Sequence, residues 1–176
     1  MYKLGDIVVN RETIKKRVSE LAKQINTDYA GKEVVLIGVL KGAMVFLADL
    51  MRELEMPVVV DFIVVSSYGI ETETSGVVLV LRDVNTDIEG KHVIIVEDLV
   101  DTGVTLKYLR ELFQSRNPAS LKLCTIFDKP SRRTADLKVE YLGISVEDYF
   151  IVGYGLDYAN KYRNCPDLRM VVQIED

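Results

Sequence analysis

Val93-Ile94-Ile95-Val96-Glu97-Asp98-Leu99-Val100-Asp101-Thr102-Gly103-Val104-Thr105 is the stretch whose reading decides the fold. An apolar run ends in two adjacent carboxylates. Three residues on, an Asp, a Thr, a Gly and a second Thr lead into an apolar pattern of helical spacing. This order reads as a buried parallel strand, a polar loop at its carboxyl end and a helix N-terminus. In open α/β sheets, ligands bind at that edge.

The two halves of the loop differ in electrostatic character. Thr102, Gly103 and Thr105 offer hydroxyls and backbone N–H groups at a helix start, a nest that attracts phosphate. Gly103 has no Cβ, so an anion can approach its backbone. Glu97 and Asp98 repel phosphate and suit a cation, a sugar diol or developing positive charge. A ribose 5-phosphate unit satisfies both halves, its phosphate on the threonine side and its 2- and 3-hydroxyls on the carboxylates. Asp101 lies between them and faces whatever is attached at the anomeric carbon. An ordinary capped strand-to-helix turn explains Thr102 and Thr105. It does not explain three carboxylates crowded at the end of a buried strand.

Working outward, Asn10 caps a helix running to about residue 29, with Ile14, Val18, Leu21, Ala22 and Ile25 at helical spacing and Gly31 ending it. Residues 34–40 form a continuous apolar strand. Lys41-Gly42 then turns the chain into a helix over about 43–54. Strands follow at 58–65 and 77–81, separated by a polar, mobile loop at 66–76. Beyond the central strand come a helix to about 114, strands at 121–127, 139–142 and 150–152, and a helical turn over 159–163. Strands alternating with helices predict an α/β class, with a mostly parallel twisted sheet flanked by helices and right-handed crossovers. No repeat or interdomain linker interrupts residues 1–176, which read as a single domain.

Composition narrows the partners. The chain has 176 residues, 48% of them hydrophobic, and a net charge of −5 without a basic run, which argues against nucleic acid and membrane surfaces. A phosphorylated substrate bound against that field calls for a divalent cation. Cys124 lies in an apolar run, and Cys165 follows the expected helical turn. Neither has metal-ligand spacing, so both read as free thiols of a reducing compartment. There is no signal-peptide core and no apolar stretch of about 20 residues, so a cytoplasmic location is expected. The one histidine, His92, starts the central strand at the end away from the loop. Histidine-based triads and histidine metal sites are thereby excluded.

The central stretch closely resembles the 5-phosphoribosyl-1-pyrophosphate signature of the type I phosphoribosyltransferases. Four further segments narrow the resemblance to the hypoxanthine-guanine branch: Leu40-Lys41-Gly42, Ser66-Ser67-Tyr68-Gly69, Asp128-Lys129-Pro130-Ser131-Arg132-Arg133, and Phe150-Ile151-Val152-Gly153-Tyr154-Gly155-Leu156-Asp157-Tyr158. The likeness runs from about Ile7 to Asn164, and the segment after Asn164 departs from it. It implies the type I phosphoribosyltransferase fold, with a small hood formed by the N- and C-terminal segments. It also implies Mg²⁺-dependent transfer of ribose 5-phosphate from 5-phosphoribosyl-1-pyrophosphate to hypoxanthine or guanine, giving IMP or GMP and pyrophosphate.

By the same resemblance, Leu40, Lys41 and Gly42 hold pyrophosphate around a Leu40–Lys41 peptide that is cis in the family. Ser67 and Tyr68 begin a mobile lid. Glu97 and Asp98 take the ribose hydroxyls, and Thr102, Gly103, Val104 and Thr105 take the 5-phosphate. Asp101 acts as base toward purine N7. Lys129 donates to the 6-oxo group, which an ammonium without an acceptor favours over a 6-amino group. Phe150 stacks on the base, and the backbone at Ile151 reads its edge. Asp157, with Glu97 and Asp98, holds Mg²⁺, and Arg163 contacts the pyrophosphate. A homodimer or homotetramer is implied. The rival reading is a non-catalytic module on the same fold that senses 5-phosphoribosyl-1-pyrophosphate or a nucleotide. A generic dinucleotide or flavin binder has no support, because both GxGxxG and GxxxxGK[ST] are missing.

Overall fold

In chain order the elements are β1 (Tyr2–Val9), α1 (Arg11–Asp28), β2 (Val34–Leu40), α2 (Met44–Arg52), β3 (Val58–Tyr68), β4 (Val77–Arg82), β5 (His92–Val100), α3 (Val104–Gln114), β6 (Ser120–Asp128), β7 (Tyr141–Ser145), β8 (Ile151–Val152) and β9 (Leu168–Gln173). A short 3-10 turn, Pro130–Arg132, follows β6. The computed structural model describes residues 2–68 and 77–173. Most of the expected 66–76 loop therefore lies outside the described residues.

The central sheet has the order β4-β3-β2-β5-β6-β7. Only the β3–β4 pairing is antiparallel. β2 and β5 carry unbroken Val/Ile/Leu runs, residues 34–37 and 93–96, because helices cover both of their faces. On one face Leu36, Ile94 and Val96 share a core with Ile14 and Val18 of α1 and Phe46 and Leu50 of α2. On the other, Val35, Ile37, Val93 and Ile95 pack with Leu106, Leu109 and Phe113 of α3. The alternation follows the two-residue period of a strand. From β2 the chain goes to β3 on one side, and β5 pairs with β2 on the other. The carboxyl ends of β2 and β5 are thus neighbours at the point where strand order reverses, which is where such sheets open a crevice.

Helix α1 begins as expected: Asn10 Oδ1 accepts the Thr13 amide at 2.9 Å, and Gly31 takes a positive φ of 71° past the helix end. His92 plays the structural part expected of its position, with Nδ1 2.9 Å from Ser120 Oγ and its ring edge-on to Tyr29.

Several boundaries differ from the sequence reading. β5 runs to Val100, so Glu97 and Asp98 lie within the strand and the loop shrinks to Asp101–Gly103. β3 extends to Tyr68. β7 starts at Tyr141 rather than 139, because the Glu140 carboxylate takes the Leu123 amide (2.9 Å) and Arg110 (2.6 Å) in place of a ladder bond. Residues 159–163 are not a helical turn. Ala159, Asn160 and Tyr162 have φ of 49°, 62° and 75°, which a right-handed helix forbids. Cys165 consequently follows an irregular loop. The N- and C-terminal segments form a second, antiparallel sheet in the order β1-β9-β8. β1 and β9 escaped assignment from the sequence. Among the described residues no helix is long and apolar enough to cross a membrane.

Candidate active site

The turn between β5 and α3 passes through Gly103, whose φ of 84° is left-handed and open to glycine at little cost. Gly103 gives α3 no side-chain cap, and Thr102 Oγ1 accepts the Val104 amide only at a long 3.4 Å, so this helix start has the character of an anion nest. Beside them is a cavity of about 300 Å³ lined by Glu97, Asp98, Asp101, Thr102, Gly103, Thr105, Leu156 and Asp157, among others. The structure therefore brings the two halves of the loop around one space and adds Asp157 from a distant segment.

Glu97 is buried. Its Oε1 accepts the Asp98 amide at 3.1 Å, and Asp98 Oδ1 accepts the Leu99 amide at 2.7 Å. Burial, and then the adjacent Asp98 charge, push the Glu97 carboxyl well above the usual carboxylate range. Burial also raises Asp98, against the opposing pull of its hydrogen bonds and of Arg163. Two crowded, poorly hydrated carboxylates favour positive charge arriving beside them.

Close backbone approach joins three loops here. A Cβ on Gly42 would overlap Asp98 Oδ2, and one on Gly155 (φ 102°) would overlap the Gly42 carbonyl. Arg163 locks the third loop, its Nη1 donating to Gly155 O at 2.7 Å and its Nη2 pairing with Asp157 Oδ1 at 2.6 Å. Asp157 Oδ2 accepts the Asn160 amide at 2.7 Å. The Leu40–Lys41 peptide is cis, and the Lys41 side chain is exposed.

The expected base-binding residues lie beyond Asp101 rather than in the cavity itself. Lys129 is only 7% exposed. Its Nζ donates to Tyr149 O at 2.6 Å and lies 3.4 Å from Asp148 Oδ1, which leaves one of its three N–H groups for a ligand. Phe150 is 58% exposed, with Tyr158 edge-on at 5.5 Å. Ile151 is buried in β8 opposite Met170. The link to Asp101 is Arg132, whose Nε is 3.1 Å from Asp101 Oδ1 and whose Nη1 is 3.7 Å from Asp148 Oδ2. The sequence alone assigns Arg132 and Asp148 no role, although Arg132 lies within the Asp128–Arg133 motif. Its neighbour Pro130 was the signal that this segment turns back toward the β5 loop. Ser67 and Tyr68 end β3, their backbones paired with Val78 and Val77. A larger cavity of about 610 Å³ lies between α1, α2 and residues 163–166, away from the β5 loop.

A model of the phosphoribosyl transferase domain matches residues 6–159. The chain belongs to the phosphoribosyltransferase family. This phosphoribosyltransferase is 46% identical over 173 residues to hypoxanthine phosphoribosyltransferase from Salmonella typhimurium strain LT2, covering 97% of each chain. It is 46% identical over 165 residues to hypoxanthine-guanine phosphoribosyltransferase from Bacillus subtilis strain 168, covering 94% of this chain and 92% of that one. The crystal structure of a Bacillus anthracis hypoxanthine-guanine phosphoribosyltransferase, with HEPES in its active site, superposes with a TM-score of 0.92 at 47% identity over 98% of this chain and 100% of that chain. The type I phosphoribosyltransferase fold, with its mostly parallel sheet and three helices, is thereby shown for this chain.

Proposed function

We propose that this phosphoribosyltransferase transfers ribose 5-phosphate from 5-phosphoribosyl-1-pyrophosphate to N9 of hypoxanthine or guanine, a purine-salvage reaction giving IMP or GMP and pyrophosphate. The observation that carries the reading is the gathering of Glu97, Asp98, Asp101, the Thr102–Thr105 nest and Asp157 around one cavity, with a buried ammonium and an exposed aromatic just beyond. Near-full-length similarity to enzymes named for this activity supports it.

In this mechanism the amides and hydroxyls of Thr102, Gly103, Val104 and Thr105 hold the 5-phosphate. Leu40, Lys41, Gly42 and Arg163 hold the pyrophosphate, and Ser67 and Tyr68 begin a covering lid. Phe150 stacks on the purine, the Ile151 backbone reads its edge, and Lys129 donates to O6. The bond from the sugar's anomeric carbon to the pyrophosphate oxygen breaks with its electron pair on the leaving group. The N9 lone pair forms the new bond, and the N7 proton passes to Asp101. Glu97 and Asp98 face the ribose hydroxyls and the positive charge that develops on the sugar.

Among the described residues no three His, Cys, Asp or Glu side chains are grouped to hold a metal ion by themselves. Glu97, Asp98 and Asp157 line one cavity with carboxylate oxygens, donors that suit a hard cation such as Mg²⁺ whose remaining ligands are waters and substrate oxygens. When bound, Mg²⁺ neutralises charge on the pyrophosphate.

The proposal extends to a single domain, since Val9, Ile151 and Leu168 of the small sheet share a core with Leu36 and Phe46. It extends also to a cytoplasmic homodimer or homotetramer, a location that suits the two free cysteines.

The test is pyrophosphate release with 5-phosphoribosyl-1-pyrophosphate and Mg²⁺, offering hypoxanthine, guanine, xanthine and adenine separately. Release with the 6-oxopurines and not with adenine is expected. Binding without release for any base would replace the enzyme with a sensing module.

A further inference from the structure

Directly behind the anion nest lies a buried ion pair that the reaction does not use. Asp128, the last residue of β6, pairs across the sheet with Val100. Its side chain is only 6% exposed and accepts a hydrogen bond from Arg133 Nη2. Arg133 Nη1 reaches Leu137 O at 3.5 Å. The shaft of the same side chain lies under the nest: its Cδ and Nε are 2.9 and 3.5 Å from where a Cβ on Gly103 would stand. Arg133 Nε is buried with no hydrogen-bond partner among the described residues. The amides of Thr134 and Ala135 both donate to Thr102 O at 3.0 Å.

These contacts act on one peptide. Two donors draw the Thr102 carbonyl back toward residues 134–135, and the Gly103 N–H of the same planar peptide therefore points the opposite way. The Arg133 shaft occupies the space a side chain at position 103 would need, which adds to the reason only glycine fits there. The guanidinium also sets positive charge, with its Nε–H unpartnered among the described residues, behind the Gly103 backbone. A fixed donor array that needs no rearrangement binds an anion more tightly than one that must first be ordered.

We propose that Arg133, clamped by Asp128, is a positioning residue that holds the Asp101–Thr105 nest in its phosphate-binding shape. The inference rests on the phosphoribosyl-transfer reading for the identity of the anion, a sugar phosphate. Arg133 acts through the Gly103 backbone and does not itself touch the substrate.

The test is calorimetric binding of ribose 5-phosphate, alongside steady-state kinetics with 5-phosphoribosyl-1-pyrophosphate and hypoxanthine. The proteins are the wild type, Arg133→Met, Arg133→Lys, and the double variant Arg133→Met with Asp128→Leu, which leaves no unpaired buried charge. Ribose 5-phosphate affinity should fall about tenfold, the cost of misaligning one backbone hydrogen bond to the phosphate, in both Arg133→Met and the double variant. KM for 5-phosphoribosyl-1-pyrophosphate should rise in step, with KM for hypoxanthine unmoved and the melting temperature of the double variant restored toward wild type. Arg133→Lys, with one donor group in place of a fork, should recover only part of the affinity. A double variant that binds ribose 5-phosphate like the wild type would overturn the proposal, leaving Arg133 and Asp128 as a merely structural pair. If the wild type binds ribose 5-phosphate yet releases no pyrophosphate with any base, the transfer reading fails and the binding comparison still decides the role of Arg133. A wild type that binds neither compound overturns both.

Discussion

Replacing Lys129 by Met removes the ammonium while keeping an unbranched chain of similar length. Two consequences separate cleanly. In the free protein the lost contacts are the 2.6 Å bond to Tyr149 O and the 3.4 Å approach to Asp148. Asp148 is about half exposed (48%) and Tyr149 is exposed, so water takes their places and the pair is worth little. Relief from burying an ammonium offsets part of what remains. The net change should be about 1 kcal/mol or less, a shift of roughly 2–4 °C in Tm for a chain of this size. In the complex the loss is larger. One charge-assisted hydrogen bond to O6 contributes about 1.5–3 kcal/mol, and O6 is left facing a thioether in a partly dehydrated site. Together these predict a fall of roughly 10²–10³ in kcat/KM for hypoxanthine and guanine, with adenine's residual rate unchanged or raised, so that selectivity collapses from both sides. Lys129→Gln, whose amide both donates and accepts, should keep more of the hypoxanthine rate than Met and admit adenine better. The assay is pyrophosphate release at fixed 5-phosphoribosyl-1-pyrophosphate with each base varied, beside a thermal melt. Hypoxanthine kcat/KM within about threefold of wild type, with the fold intact, would refute the reasoning, because a lone buried donor to O6 cannot be removed that cheaply.

Asp101→Asn should lower kcat by roughly 10²–10⁴, the usual range for a general base, while leaving the Kd for 5-phosphoribosyl-1-pyrophosphate close to wild type; an unchanged kcat removes Asp101 from proton transfer. Glu97→Gln should raise the melting temperature at pH 8 in EDTA. The folded-state carboxyl is held above its ordinary value by burial and by Asp98, so wild-type stability falls as pH climbs from the ordinary carboxylate value through the folded one; a melting curve from pH 5 to 8 as steep for the variant as for the wild type counts against this. In native protein, iodoacetamide should modify Cys165 and spare Cys124, which is fully buried and whose thiol burial pushes up; mass spectrometry of the intact chain should show one adduct, and two would mean the β6 core opens readily.

What could be read in the chain, and what could not, divides along the range of the interactions. β2, β5 and α3 announced themselves because each is regular over many residues and its pattern records which faces are covered. The β5 loop was legible for a related reason: three carboxylates beside two threonines and a glycine are chemically odd at the end of a buried strand, and local oddness survives in one dimension. The small sheet left no such record. β1 pairs with β9 across more than 150 residues, Tyr2 against Gln173, with register shifts along the ladder. Neither strand alternates cleanly, since β1 reads Tyr2-Lys3-Leu4-Gly5-Asp6-Ile7. Residues 159–163 misled for the opposite reason. Their composition suits a helical turn, but the Asp157 carboxylate and Arg163 hold them in left-handed conformations that composition does not encode.

The segment after β6 shows why a motif can be visible while its role is not. Asp128 through Arg133 was recognisable as a block, yet only Lys129 drew a role, because an ammonium beside a purine is a contact one can state without coordinates. Arg132 and Arg133 are consecutive, and the structure sends them to different tasks. Arg132 reaches over the front of the site to Asp101 and Asp148. Arg133 turns behind it, to Asp128 and the underside of Gly103. The divergence is set by the Pro130–Arg132 turn, which ends by reversing the chain against Thr102, and nothing in the two side chains themselves distinguishes them. The front arginine is half exposed and replaceable by water. The back one is anchored at Asp128 and Leu137 and packed against the Gly103 backbone. On physical grounds, then, of these two arginines the one whose substitution should weaken sugar-phosphate binding more is Arg133, which acts through the Gly103 backbone rather than from the front of the site.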